Sequence, residues 1–271
     1  MANIYPNGIG GTLGDTLATC RPLYFTGVVW YVDSATGFDA VSPAGRNRER
    51  PLATLAQALT NSSNDDIIVF LSGHQETLTS KQTVSKRLTL VGEGSAAGVP
   101  TVVFTRSADN TGISLETALC EIRNVKFAQS TTAGVTTSPS LKIAATDCVI
   151  EGCYVECGAK DALGLDFGSG TDRLRIRNTT IISTSTSLSA QPATGASSFG
   201  AIADMVWDGL VVSAGTVGFS NYFAIDCSAA ALTRLKGIGV SLLLGADVNL
   251  HASSTGRLNV QTATAGSRVQ W

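Results

Sequence analysis

The stretch Cys120-Glu-Ile-Arg-Asn124 recurs in the same form at Cys148-Val-Ile-Glu-Gly152, Leu174-Arg-Ile-Arg-Asn178, Met205-Val-Trp-Asp-Gly209 and Thr233-Arg-Leu-Lys-Gly237. Each copy alternates apolar and polar residues, ends on a turn residue, and is followed by another apolar residue (Phe127, Val155, Ile181, Val212, Val240). The turn position advances by 28, 26, 31 and 28 residues. Such a period indicates one β-coil repeated along an axis, each copy burying its inner face against its neighbours. We therefore predict a solenoid with Ile122, Ile150, Ile176, Trp207 and Leu235 facing inward.

The repeat extends toward both ends of the chain. Leu88-Thr-Leu-Val-Gly92 has the same form, and the apolar run Ile67–Leu71 precedes it. Only 15% of the 271 residues are charged, which suits short strands joined by tight turns. We predict coils from residue 65 to about 245, with residues 246–271 forming either a terminal coil or a small C-terminal sheet.

One helix is predicted before the first coil. The segment Pro51–Thr60 places Leu52, Leu55, Ala56 and Leu59 on one face and carries proline in its first turn. A helix here can cover the open N-terminal end of the stack, where backbone groups and an apolar cross-section are otherwise exposed.

Three segments before and within the first coil carry a family resemblance: Trp30–Gly37, Asn47–Leu59 and Asp65–Thr77. Their order of strand, cap helix and first coil resembles the opening of right-handed parallel β-helix proteins of the pectate-lyase-like superfamily. The resemblance implies an all-β, single-stranded, right-handed parallel β-helix with a short N-terminal cap helix. The expected organisation is an arm (1–29), first strand and cap helix (30–64), parallel β-helix (65–245) and terminal region (246–271).

Within that superfamily the chain most resembles bacteriophage virion proteins, either capsid decoration proteins or tailspikes. Polysaccharide-cleaving β-helices use two nearby carboxylates, or a carboxylate cluster that binds calcium. The candidates are Asp161 with Asp166, and Asp204 with Asp208. The alternative is that these residues bind backbone amides in coil corners, as aspartate often does. We expect no catalytic residue; if the chain is a glycosidase, these four are the candidates.

Histidine and cysteine add little catalytic potential. His74 and His251 are each isolated and are expected to be exposed polar residues, without metal-ligand spacing. Cys120 and Cys148 occupy the same inward position in successive coils, which favours reduced, buried thiols. A coil spacing of about 4.8 Å also leaves a disulfide between them open. We expect no cofactor and no metal.

Charge and hydropathy limit the partners. The net charge is −2 and no basic stripe is present, so nucleic acid is not expected, and no long apolar run predicts a membrane span. The start of the chain does not resemble a secretory signal, so we expect assembly in a host cytoplasm and a final location in the virion. The glycine-rich arm is expected either to pack on its own β-helix or to attach it to a virion partner or a sister subunit.

Two functions remain in contention. The first, which we favour, is a non-enzymatic virion structural protein that decorates the capsid or projects from the particle, as a homotrimer in the manner of the family. The second is a tailspike-like receptor-binding protein that binds or cleaves host-surface polysaccharide.

Overall fold

The computed structural model describes residues 27–39, 44–107, 112–128, 139–157, 163–183, 194–195, 202–213, 225–227, 231–243, 247–250, 254–262 and 268–270. Within these residues the chain is built from short strands and a single helix. The strands form three faces, named here A, B and C, and each coil passes through them in that order.

Face A contains Val29–Val32, Ile67–Phe70, Thr89–Gly92, Glu121–Arg123, Val149–Glu151, Arg175–Arg177, Val206–Asp208, and the first parts of Leu235–Leu243 and Gly256–Thr262. Face B contains Gln75–Leu78, Val103–Arg106, Lys126–Ala128, Tyr154–Cys157, Thr180–Ser183, Val211–Ser213, and the second parts of Leu235–Leu243 and Gly256–Thr262. Face C contains Lys81–Val84, Gly112–Leu115, Pro139–Ile143, Leu163–Phe167, Thr194–Gly195, Ile225–Cys227, Asp247–Leu250 and Arg268–Gln270. Two small ladders stand at corners: Ser95–Ala96 with Val99–Pro100, and Ile202–Ala203 with Leu232–Thr233.

Strand pairing within all three faces is parallel, so the protein is a parallel β-solenoid, as the repeat predicted. Parallel strands need a crossover between them, and here each crossover is the rest of one coil. That the coil is right-handed stays a prediction, which rests on the strong preference of crossovers between parallel strands for that handedness.

Inward side chains stack in columns along each face. On face A, Ile122 pairs in register with Ile150, Ile150 with Ile176, and Ile176 with Trp207, and all four are buried. They belong to one continuous core cluster that runs from Trp30 to Leu242. The predicted inward column is therefore confirmed for these residues.

The last copy of the repeat is shifted relative to the sequence alignment. Trp207 pairs with Gly237, not with Leu235, so the turn residue is Gly239 and the partner of Val212 is Leu242. Leu235 is still buried, because a shift of two residues keeps a side chain on the same side of a strand. The predicted alignment of Leu235 with Trp207 was wrong for that reason, since alternation alone cannot distinguish the two registers.

The corner between faces A and B is a column of residues with left-handed backbone. Asn124, Gly152, Asn178, Gly209 and Gly239 have φ values of 53°, 61°, 45°, 64° and 59°. Asparagine and glycine adopt this conformation most easily, which explains why they alternate at the end of each copy.

Helix α1 (Leu55–Asn61) is shorter than predicted and begins after Thr54, whose side chain accepts a hydrogen bond from the Gln57 amide. Pro51 and Leu52 precede the helix and Ala56 is exposed, so the predicted apolar face was wrong at Leu52 and Ala56, whereas Leu59 packs against the core as predicted. Leu55 and Ala58 are the buried residues. Thr54 defines the start because its hydroxyl satisfies a first-turn amide, which proline in the predicted first turn does not do.

The C-terminal end of α1 is held by a lysine from the first coil. Lys86 Nζ donates to the carbonyl oxygens of Leu59, Thr60 and Ser62 at 2.7, 3.3 and 2.6 Å. These are carbonyls without partners inside the helix, so the ammonium group both satisfies them and matches the negative end of the helix dipole.

The first strand, Val29–Val32, joins face A as its first member. The buried carboxylate of Asp66 fixes this junction: it accepts hydrogen bonds from the Val28 amide, the Trp30 indole and the Ser63 amide at 2.6, 2.9 and 2.8 Å. At the other end, Asp247–Leu250, Gly256–Thr262 and Arg268–Gln270 continue all three faces. Residues 1–26 of the arm lie outside the described residues.

Candidate functional site

The corner between faces C and A carries charges that alternate in sign from coil to coil. Asp147, Arg173, Asp204 and Arg234 occupy equivalent positions, all with left-handed backbone. Arg173 donates to both carboxylate oxygens of Asp147 at 2.7 Å, and Arg234 to both oxygens of Asp204 at 2.6 Å. We name these four residues the corner ladder. Two-point arginine–carboxylate contacts fix geometry as well as charge, so the ladder links successive coils.

The corner ladder also sets the protonation of its carboxyl groups. Hydrogen bonds from Arg173 hold the pKa of Asp147 below its ordinary value, and those from Arg234 do the same to the pKa of Asp204. A general acid must keep its proton near neutral pH, which requires a raised pKa. Asp204, one of the candidate catalytic residues, is thus held ionised and joined to the next coil.

Asp208, the neighbouring candidate, belongs to a second charged column on the outer side of face A. Arg123, Glu151, Arg177 and Asp208 follow one another in direct register. Arg123 forms ion pairs with Glu151 and, at 3.2 Å, with Glu121 in its own strand. We name this column the face A ladder. Its charges alternate in the same way as those of the corner ladder.

Asp166 lies on the outer side of face C and is nevertheless buried. Its register partner in the preceding coil is Lys142, whose Nζ lies 3.7 Å from Asp166 Oδ2. Gly168 leaves room for this lysine, because a Cβ at that position would lie 2.6 Å from Lys142 Cε. A buried carboxylate needs a compensating charge, and Lys142 supplies it.

Two earlier coils extend this group. Glu116 Oε1 accepts hydrogen bonds from Lys81 Nζ at 2.5 Å and from Ser114 Oγ at 3.0 Å. The contact with Lys81 lowers the pKa of Glu116, and Lys142 adds a smaller effect through space. We name Lys81, Ser114, Glu116, Lys142 and Asp166 the face C cluster. Its two carboxylates and two ammonium groups compensate each other across four successive coils.

The three candidate aspartates that the structure describes stand in three different columns of the solenoid surface. Asp166 lies on face C with Lys142 and Gly195 as its register neighbours. Asp204 stands in the corner ladder and Asp208 in the face A ladder, both in a later coil. Asp161 lies outside the described residues. Hydrolysis by paired carboxylates requires two of them within about 5–10 Å on either side of a bound sugar. The pairing of Asp161 with Asp166, and of Asp204 with Asp208, stays a prediction.

His74 is fully buried, so the expectation of an exposed polar residue was wrong. Its Nδ1 accepts the Ser34 amide at 3.0 Å, which places the ring proton on Nε2, 3.2 Å from Glu76 Oε2. The ring packs between Phe70 and Phe104, with centroid distances of 5.2 and 5.5 Å. Burial follows from these aromatic neighbours, which the isolated position of His74 in the sequence did not reveal.

Glu76 connects this histidine to the cap helix. The same Oε2 atom accepts a hydrogen bond from the Leu55 amide at 2.9 Å, at the start of α1. The His74–Glu76 pair therefore joins the first coil, the turn after the first strand and the helix. Both ring nitrogens of His74 are engaged in these contacts, so the residue has a structural role. His251 lies outside the described residues.

Cys120, Cys148 and Cys153 are buried thiols. Cys120 and Cys148 share the inward column that begins face A, as predicted, and Cys153 lies in the core beyond the next corner. Cys120 Sγ donates to the Lys86 carbonyl at 3.3 Å. Burial raises the pKa of both Cys148 and Cys153 to about 12. Thiols of this kind are poor nucleophiles and poor metal ligands at neutral pH.

Within the described residues, no group of three or more histidine, cysteine, aspartate or glutamate side chains is arranged to hold a metal ion. The single helix found there is not long and apolar enough to span a bilayer.

Sequence reasoning missed the face C cluster and both ladders. The sequence does contain a pattern that indicates the face C cluster. Leu141-Lys-Ile143 and Leu165-Asp-Phe167 have the same apolar–charged–apolar form, with charges of opposite sign. Aligning the third strand of each coil, in addition to the first, places Lys142 beside Asp166.

Comparison by sequence identifies no relative of this chain. No protein-family model matches the chain, and no curated protein matches it. A solved structure of a rhamnogalacturonan lyase resembles it with a TM-score of 0.47 and 13% sequence identity, covering 90% of this chain and 63% of that one. The chain thus spans less than two thirds of that enzyme's chain.

Proposed function

We propose that this chain is a non-enzymatic structural protein of a bacteriophage virion, a stiff β-solenoid that decorates the capsid or projects from the particle. The observation that supports this proposal most is the use of the candidate carboxylates. Asp204 is held by Arg234 and Asp166 lies beside Lys142, so both serve contacts between coils. Charge compensation of this kind stiffens a solenoid and engages these two carboxylates in contacts between coils.

The proposal predicts where the protein is found. Antibodies raised against the purified chain should decorate intact particles released from the source cells in immunogold electron microscopy. A regular pattern over the capsid supports decoration, and labelling at one end supports a tail projection. Labelling confined to cell material, with particles unlabelled, contradicts the proposal.

The proposed partners are sister subunits in a homotrimer and other virion proteins reached through the N-terminal arm. Deleting residues 1–27 leaves the first strand intact and tests the arm alone. The truncated chain should keep its fold by circular dichroism and fail to join particles in complementation. Unchanged incorporation contradicts the role of the arm. Light scattering of the full chain tests the trimer.

The second candidate is a tailspike-like protein that binds or cleaves host-surface polysaccharide. One observation favours it: on the outer side of face B, Lys126 Nζ lies 5.7 Å from the ring centroid of the partly exposed Tyr154 and 2.7 Å from Glu156 Oε1. An aromatic ring flanked by charged hydrogen-bonding groups suits a sugar surface. Binding of polysaccharide from the host surface that is lost in Tyr154→Ala supports this candidate, and equal binding contradicts it.

A further inference from the structure

The contacts of His74 fix the protonation state of a fully buried imidazole. A backbone amide can only donate, so the hydrogen bond from the Ser34 amide at 3.0 Å requires an Nδ1 atom without a proton. The ring proton therefore lies on Nε2, which faces Glu76 Oε2 at 3.2 Å. The structure thus holds the neutral ring, in one defined tautomer.

Protonation of this ring would set two donors against each other. Histidine is the side chain that ordinarily changes charge between pH 5 and 8, and its cation carries a proton on both nitrogens. A proton on Nδ1 of His74 would point at the amide proton of Ser34, where only an acceptor can form the hydrogen bond. The contact with Glu76 is kept, because Nε2 donates in both charge states. Protonation therefore removes one of the two contacts and leaves the other.

Two carboxylates on neighbouring segments favour the charged ring. Glu76 is its direct partner on the same strand, and a carboxylate beside an imidazolium stabilises it. Asp33 lies in the turn that follows the first strand of the chain. Burial acts to raise the pKa of Asp33, but hydrogen bonds from its own turn, led by that from Thr36, and the charge of His74 outweigh burial and lower it. Asp33 is therefore ionised in the pH range where histidine ordinarily titrates.

The other elements packed against the ring add aromatic side chains and one cation. Phe70 of face A and Phe104 of face B enclose the imidazole, and helix α1 contains no charged residue. The strand of Phe104 ends in Arg106, whose register partner is Leu78 and not Glu76. The ring is thus held by one carboxylate and one amide between two aromatic rings, and loss of the amide is the change that a proton brings about.

We propose that His74 is an acid-sensitive latch, which holds the turn at residues 33–37 against the first coil when neutral and releases it when protonated. Two contacts of Ser34 join this turn to the first strand of face B: its amide donates to the His74 ring, and its hydroxyl accepts the Gln75 amide at 2.9 Å. Loss of the first contact leaves the second alone to hold the turn. The contact on Nε2 stays in place, so the release is local and the solenoid remains folded.

Release of the turn changes the cap at the N-terminal end of the stack. The chain continues from the turn to Asp39, whose Oδ1 accepts the amides of Ala53 and Thr54 at 2.7 and 3.2 Å just before α1. Between the turn and this contact, the side chain of Phe38 is 72% exposed. Because these residues follow one another directly, movement of the turn alters the surface that the cap presents. The latch goes beyond the structural role proposed above, since it makes this surface respond to pH.

The direct test is NMR of the natural chain with ¹⁵N-labelled histidine, titrated from pH 8 to pH 5, combined with residue-resolved hydrogen exchange. The chain has two histidines, so a His251→Gln variant assigns their signals. Nδ1 of His74 should be unprotonated at pH 8 and protonated at pH 5. Over the same range the protection factor of the Ser34 amide should fall about tenfold. The Val149 amide, which donates to the Cys120 carbonyl inside the stack, should keep its protection.

The matched variant is His74→Gln, because glutamine offers an acceptor and a donor in one side chain and does not gain a charge. In this variant the protection of Ser34 should be the same at pH 8 and pH 5. An equal fall in the variant, a fall of Val149 in step with Ser34, or a protonated ring with Ser34 still protected overturns the proposal. A ring that stays neutral at pH 5 overturns it as well, and that measurement needs only the natural chain if the variant fails to fold. Particle labelling is independent of these results, so the two proposals can fail separately.

Discussion

Replacing Ile150 with alanine tests the inward column, because its neighbour Val149 lies on the opposite side of the same strand. Ile150 is fully buried between Ile122 and Ile176, whereas Val149 points outward between Glu121 and Arg175. The two substitutions are adjacent in sequence and both shorten an aliphatic side chain. They differ in whether the removed carbons lie in the core.

The expected effect follows from the burial. Ile150→Ala removes three carbons, worth about 0.8 kcal/mol each, and leaves a cavity that the stacked coils above and below cannot easily close. The free energy of unfolding should fall by about 3–4 kcal/mol. At roughly 2–4 °C per kcal/mol for a domain of this size, the melting temperature should fall by about 10 °C. Val149→Ala should cost at most about 1 kcal/mol.

Thermal and urea unfolding followed by circular dichroism measures both variants against the natural chain. The urea midpoint should move for Ile150→Ala with an unchanged slope, which shows a change in stability and not in the surface exposed on unfolding. If Val149→Ala costs as much as Ile150→Ala, or more, the assigned inward and outward sides are wrong and the stacking argument with them.

Three further predictions concern single contacts. In native protein at pH 8, Cys148 and Cys153 should resist iodoacetamide and react only after denaturation, because burial raises their pKa to about 12. Peptide mass spectrometry measures the alkylated fraction, and rapid alkylation of the native protein contradicts the prediction. The lowered pKa of Asp147 and Asp204 contributes stability that is present above their unfolded pKa values near 4 and is lost as pH falls through the lower folded pKa values. The melting temperature should therefore drop in acid, and it should drop less in the double variant Asp147→Asn with Asp204→Asn. A parallel decline in both proteins rejects the link. Lys86→Met should lower the free energy of unfolding, measured in urea, by about 1–2 kcal/mol, because the carbonyl oxygens of Leu59, Thr60 and Ser62 lose the ammonium donor. Lys81→Met, in a surface ion pair, should cost under about 1 kcal/mol, and equal costs contradict the capping role.

Much of the fold was predictable because a coil imposes a local pattern on every copy. Alternation around Ile122, Ile150 and Ile176 identified the inward side, and Asn124, Gly152 and Asn178 identified the corner that needs left-handed backbone. Both signals arise within five residues, so no tertiary contact is needed to recognise them.

The candidate site was less predictable. Asp204 and Asp166 were noticed as carboxylates, but their partners Arg234 and Lys142 are 30 and 24 residues away in sequence. Coil lengths vary because insertions differ between copies, so equal spacing does not identify the residue that faces a given charge. His74 illustrates the same limit, since Phe104 and Ser34, which enclose it, belong to other segments.

The sequence by itself determined that the chain forms stacked parallel coils, and it determined which side of most strands is buried, because a period of two and a recurrent turn residue are local properties. Only the tertiary structure decided the register of the last coils, with the pairing of Trp207 with Gly237 and of Lys236 with Arg257. The physical reason is that a shift by two residues preserves every inward and outward assignment. It changes only which side chains stand above one another, and this is settled when neighbouring coils pack and their charges meet.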